Sequence, residues 1–209
     1  LAATSILQLG SDIDGEAPGD YSGTAVSLSG DGSTVVIGAP GNDGGGPGGV
    51  HARIYRYDSD TSSWVQLGSD IDATTIYDSA GSSVSISHDG SIVAVGAPLN
   101  RSGGTYAGET RIYKYDSVAS AWIQLGSDIT GSLSTGKSGY EVSMSDDGSR
   151  IAVLSQNSLA KIYQYDAQAL DWVQLGPEIS DPYASAGFGS FEALSLSGDG
   201  STISIGADG

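Results

Sequence analysis

Asp14, Glu16 and Asp20, with Asp43, Asp72 and Asp78, lie in the stretches between the apolar runs of this chain. Carboxylates gathered by such loops have two chemistries open to them. Calcium takes about six to eight oxygen ligands, so several carboxylates must converge on it. Glycoside hydrolysis needs only two carboxyl groups at a suitable separation, and among so many acids the sequence singles out no pair. The neighbours Asp146 and Asp147 are a weaker candidate for a metal, and Asn100-Arg101-Ser102 is an acceptor sequence for N-linked glycan in an exposed loop. Nucleophilic chemistry finds little support. The chain has no cysteine, which removes disulfides, thiolate metal sites and cysteine nucleophiles. Its two histidines, His51 and His88, fall in no Ser-His-Asp order and no paired-histidine spacing. The Gly41 to Gly49 run lacks the lysine and the following helix of a phosphate loop.

The elements that must position these residues are repeated. Gln8-Leu9-Gly10-Ser11-Asp12-Ile13 returns as Gln66 to Ile71, as Gln124 to Ile129, and more loosely as Gln174 to Ile179, at spacings of 58, 58 and 50 residues. Such a period marks an array of supersecondary units that bury their faces against one another. Within residues 22–68 the order of signals reads as four strands. Ser22 to Ser29 alternates polar and apolar residues, Gly30-Asp31-Gly32 is a hairpin turn, and Ser33 to Ala39 is a nearly continuous apolar run covered on both faces. Pro40 ends that run, a Gly-rich loop follows, His51 to Tyr57 is a third strand, and Trp64 to Gly68 a fourth. Four antiparallel strands per unit make a propeller blade, so the fold class is all-β, a β-propeller-type array of about three and a half blades. The spans are 11–68, 69–126 and 127–176 for three blades and 177–209 for half of a fourth, with 1–10 carrying the last strand of a preceding one. The connections after the second strand and between units share one face, and the Asp-Gly hairpins share the other. Length varies on the first face, where binding is expected. Trp64, Trp122 and Trp172, and the pairs Tyr55/Tyr57, Tyr113/Tyr115 and Tyr163/Tyr165, recur at one register. Such recurrence points to packing between blades rather than to stacking on a ligand.

These residues resemble the FG-GAP, integrin-α-like β-propeller repeat. Gly38-Ala39-Pro40 and Gly96-Ala97-Pro98 match its GAP element, Phe188-Gly189 its FG element, and Val50 to Tyr57 and Thr110 to Tyr115 its aromatic third strand. The match departs at Ser22-Gly23, Ala80-Gly81 and Ser138-Gly139, which lack the Phe, and at Val153-Leu154-Ser155 and Gly206-Ala207-Asp208, which replace the GAP. Many members carry an Asp-rich calcium loop between their first two strands. Here each such turn has a single Asp after Gly30, His88, Asp146 or Gly198, a turn residue before it is a ligand. The Asp146-Asp147 pair is only slightly better, and calcium is instead a candidate for the carboxylate-rich inter-blade loops, for instance Asp14, Glu16 and Asp20 with Asp43.

With 25 acidic against 8 basic residues and a net charge of −17, unassisted binding to nucleic acid or anionic membrane is disfavoured. No stretch approaches the roughly 20 apolar residues of a membrane-spanning helix. The expectation is a non-enzymatic extracellular repeat protein, structural or adhesive, partnered by other copies or by the rest of a longer chain. The alternative is a glycan- or calcium-dependent ligand-binding module, with a polysaccharide-degrading propeller enzyme third.

Overall fold

The Ser-x-Asp-Gly-Ser signature builds the turn that starts each sheet. Asp31 Oδ1 accepts from the Ser29 hydroxyl at 2.7 Å and from the Ser33 amide at 2.9 Å, while the Gly32 amide donates to the Ser29 carbonyl. The positive φ that closes this turn falls on Gly32, at 74°. Asp89, Asp147 and Asp199 repeat the arrangement with Ser87 and Ser91, Ser145 and Ser149, and Ser197 and Ser201. The second hairpin has its own device: Asp58, Asp116 and Asp166 each accept from the amide two residues on.

The computed structural model describes residues 7–41, 51–73, 75, 77–180 and 191–207. In the first unit β1 (Ala25–Leu28), β2 (Thr34–Ala39), β3 (His51–Asp58) and β4 (Ser63–Gln66) pair in sequence order, all antiparallel. The two-residue β5 (Ile71–Asp72) then returns to β3, with Asp72 opposite His51. The second unit repeats this with β6 (Ser83–Ile86), β7 (Ile92–Ala97), β8 (Glu109–Asp116), β9 (Ala121–Gln124) and β10 (Ile129–Thr130). In the third, β11 (Ser138–Met144), β12 (Arg150–Ser155) and β13 (Leu159–Asp166) are followed by one long strand, β14 (Asp171–Ser180), that does the work of two. β15 (Phe191–Leu196) and β16 (Ile203–Ala207) form a last antiparallel pair. The protein is all-β and built of four-stranded antiparallel sheets of propeller type. Asp72, placed by the sequence in a loop, therefore lies in a strand. Residues 7–9 form no strand, yet Leu9 keeps the register of a fourth-strand end, because its carbonyl accepts from Trp64 Nε1 at 2.8 Å.

The sheets stack face to face, and each layer of core belongs to two units. Val36, Ala52, Ile54 and Ile71 meet Val84, Ile86, Val93 and Val95. Ala94, Ile112 and Ile129 meet Val142, Met144, Ile151 and Val153. Ala152, Leu154 and Ala160 meet Phe191, Leu194 and Leu196. Neighbours along β7 and β12 thus point into different layers, which is why these strands read as unbroken apolar runs. Val26 and Leu28, at the register of the buried Val84 and Ile86, are exposed. The aromatics pack between units as their recurrence implied. Tyr113 and Trp122 line the first layer, and Tyr163, Tyr165 and Trp172 the second.

Three contacts hold unit to unit. The first runs through the turns: the Gly30 amide donates to the His88 carbonyl, His88 to Asp146, and Asp146 to Gly198, at 2.9, 2.8 and 2.7 Å. The second comes from tryptophan, with Trp122 and Trp172 Nε1 donating to the Leu67 and Leu125 carbonyls of the preceding unit, each at 2.7 Å. The third is a close approach of backbones. A methyl added to Gly38 would overlap the Gly81 carbonyl, and one added to Gly96 the Gly139 carbonyl. The glycine of the GAP element is there to admit the glycine that enters the next unit.

Gly96→Ala should therefore destabilise the protein by about 2–3 kcal/mol, since the overlap is with backbone that must move. Gly206→Ala, whose new methyl would sit 3.5 Å from the Ala193 side chain, should change the thermal midpoint little. The turns predict an acid response. Hydroxyl and amide donors from the flanking serines lower the Asp31 and Asp199 carboxyls to about 2. Those of Asp147 are lowered by the same donors; at Asp89 partial burial opposes them and is outweighed. A folded-state value below the unfolded one stabilises fully above about pH 4 and is lost as pH falls towards about 2. The urea midpoint should drop through that window, and by less in an Asp31→Asn, Asp199→Asn double variant.

Candidate functional site

The connections on the loop face are pinned by some of the carboxylates singled out above. Asp20 is buried; its Oδ2 accepts from the Ala17 amide at 2.7 Å and its carbonyl from the Gly41 amide at 3.0 Å. Asp78, one repeat later, is buried in the same way, accepting from Ala80 through its side chain and from Leu99 through its carbonyl. Both are structural. Asp14 contributes its carbonyl, to Arg53 Nη2 at 3.1 Å. Asp43 lies outside the described residues. Asp14, Glu16 and Asp20 do not converge as a calcium set, because Asp20 is turned into the protein.

Asn100 also departs from its expectation. It is fully buried, its Oδ1 accepts from the Ser102 amide at 2.7 Å, and its Nδ2 lies 3.5 Å from Asp78 Oδ2. A glycan needs that nitrogen in solvent, and the fold encloses it. The Asp146-Asp147 pair is divided between two tasks. Asp147 accepts from Ser145 and Ser149, whereas Asp146 gives its backbone to the turn-to-turn contact and lays its carboxylate over Gly198. His88 covers Gly30 in the same manner.

Among the described residues one group of possible ligand side chains does come together: Glu16, His51 and Asp70, with one ligand atom from each lying within 4.8 Å of the others. The inter-unit connection supplies Glu16, the first residue of β3 supplies His51, and the bend between β4 and β5 supplies Asp70. His51 is 3% exposed and its Nε2 stands 3.8 Å from Glu16 Oε2. Arg53 Nη1 takes the other oxygen of Glu16 at 3.5 Å. Gln66 Nε2 donates to Asp70 Oδ1 at 2.6 Å. Asp72, across the ladder from His51, has its carboxyl pushed up by burial and then by the Asp70 charge, with His51 acting the other way.

The same register is filled differently in the later units. Arg111 replaces Arg53, pairing with the fully buried Glu109 and reaching Asp128 with Nε at 3.5 Å. Burial pushes the Glu109 carboxyl up, and Arg111 opposes it. In the third unit Leu159 replaces the histidine, and Lys161 pairs with Glu178 at 3.7 Å. The sequence reading found no partner for His51 and passed over Arg53, Asp70, Glu109 and Arg111. Counting back four and two residues from the first tyrosine of each Ile-Tyr-x-Tyr would have exposed the recurring cation and the changing residue beside it.

Comparison with known proteins agrees with this architecture. Residues 12–52 match the model of the FG-GAP repeat. A solved structure from Bacteroides fragilis, assigned as a 6-phosphogluconolactonase, superposes with a TM-score of 0.54 at 17% identity over 78% of this chain. A Lactobacillus plantarum protein gives a TM-score of 0.47 at 17% identity, covering 75% of this chain and 41% of its own. The chain spans 40% of the length of the Bacteroides protein, and the likeness is one of fold. No curated protein sequence matches. Residues 12–52 match the FG-GAP repeat, and the chain that carries them is an all-β array of propeller-type sheets.

Proposed function

We propose that this chain is a non-enzymatic extracellular repeat scaffold, with a structural or adhesive role inside a larger assembly. The observation that carries the reading is the turn-to-turn ladder from Gly30 through His88 and Asp146 to Gly198. It uses only backbone groups and repeats without a change of register, so it holds units together whatever their loops carry. The loop face is then free to differ from unit to unit, as the positions of His51, Glu109 and Leu159 do. A net charge of −17 supports a role in which a repetitive β protein must stay soluble until it meets its partner. The FG-GAP match supports a place outside the cell.

The fold it shares with a protein assigned as a lactonase supplies the sharpest competing reading. A phosphate-bearing lactone is a poor fit to this charge, because recognition of phosphate draws on Lys and Arg, of which there are 8 in all. The test has two arms on the purified 209-residue chain. Electron microscopy of native material with antibody raised to the chain should place it in a cell-surface or matrix assembly, and beads coated with it should adhere to matrix glycans or to one another. Hydrolysis of 6-phosphogluconolactone should run at the uncatalysed rate. Turnover with kcat/KM of about 10⁴ M⁻¹s⁻¹ or more, or a purely intracellular location, would overturn the proposal.

A further inference from the structure

We infer that Glu16, His51 and Asp70 form a binding site for one divalent transition-metal ion of the zinc type, on the loop face of the first unit. One imidazole nitrogen and two carboxylate oxygens are a donor set that zinc accepts, with water in the fourth position. It is a poor set for calcium, which takes only oxygen and needs about six to eight of them. The ligand atoms, now within 4.8 Å of one another, would draw in to about 3.4 Å around a tetrahedral ion with bonds of about 2.0–2.1 Å. Glu16 is the exposed member of the three and its side chain can make that adjustment. His51 is fixed by burial at the start of β3.

Two further observations support the site. The outer contacts orient the ligand side chains: Arg53 holds Glu16 by Oε1 while Oε2 stands 3.8 Å from His51 Nε2, and Gln66 holds Asp70 by Oδ1. The repeat then provides an internal comparison. In the second and third units the carboxylate after the fourth strand is neutralised by the β-strand cation, Asp128 by Arg111 and Glu178 by Lys161. In the first unit Arg53 turns instead to Glu16 and to the Asp14 carbonyl, and Asp70 is grouped with a histidine that neither later unit has. Asp72 stands across the ladder from His51, so three carboxylates and one arginine gather at this end of β3.

Titration calorimetry of the 209-residue chain with Zn²⁺, and separately with Ca²⁺, tests the inference. The wild type should bind one Zn²⁺ per chain, more tightly than Ca²⁺. Glu16→Gln, His51→Gln and Asp70→Asn should each weaken Zn²⁺ binding at least tenfold. Asp128→Asn, which removes the matching carboxylate of the second unit, should leave it unchanged. Thermal melting shows which variants are folded, and the exposed Glu16→Gln keeps the test sound if His51→Gln is not. Absence of saturable Zn²⁺ binding, equal losses in Asp70→Asn and Asp128→Asn, or tighter binding of Ca²⁺ than of Zn²⁺ would each overturn it.

Discussion

Everything in this array depends on how closely one unit's backbone can lie against the next. At Gly38 and Gly81, and again at Gly96 and Gly139, the chain passes near enough that no side chain fits between. On the far face the turns touch through amide and carbonyl. These contacts set the separation at which Val36 and Ile54 reach Val84 and Ile86, and at which Ala94 and Ile112 reach Val142 and Met144. Tertiary packing at that separation supplies the hydrophobic gain of about 1.5–3 kcal/mol per fully buried aliphatic side chain. A small shift in the spacing would loosen a whole layer at once. The third unit shows the alternative: Leu154, rather than Val153 as the sequence match had it, stands where the GAP glycine would be and joins the layer shared with Phe191, Leu194 and Leu196.

Because the stacking relies on backbone, side chains at the loop ends are released from structural duty. The first residue of the third strand is His51, Glu109 or Leu159, and the cation two residues on takes Glu16 in the first unit, Glu109 and Asp128 in the second, and Glu178 in the third. A regular scaffold with irregular chemistry at one face is the physical basis of the structural or adhesive role proposed for it. The recurring carboxylates have the opposite character. Asp31, Asp89, Asp147 and Asp199 are identical in every unit because each closes a turn with the same two serines.

The four-strand unit, the hairpins and the packing role of the tryptophans were legible in the sequence, since strand alternation and Asp-Gly turns are local signals. β5 and β10 were not. A two-residue strand after Gly-Ser-Asp has no periodicity of its own, and its existence depends on the free edge of β3 or β8. Asp20 and Asp78 were misread as ligands although they lie one full repeat apart, 58 residues. The recurrence that assigned Trp64 and Trp122 to structure applies equally to them. Asn100 shows the limit of a short motif, which specifies three residue types and nothing about burial. The grouping of Glu16, His51 and Asp70 joins residues 35 and 19 positions apart through a ladder and a bend, and no local pattern announces it.

The most direct measurement of the central claim is amide hydrogen exchange at Gly30, His88 and Asp146. Gly30, His88 and Asp146 are exposed turn residues, and in a free hairpin their amides would exchange quickly. If units are locked by the turn-to-turn ladder, these amides exchange as slowly as those of the central strands β2, β7 and β12. Exchange as fast as at Asp60 and Val118, in the second hairpin turns of the same face, would show that the ladder does not hold the units together and would contradict the account.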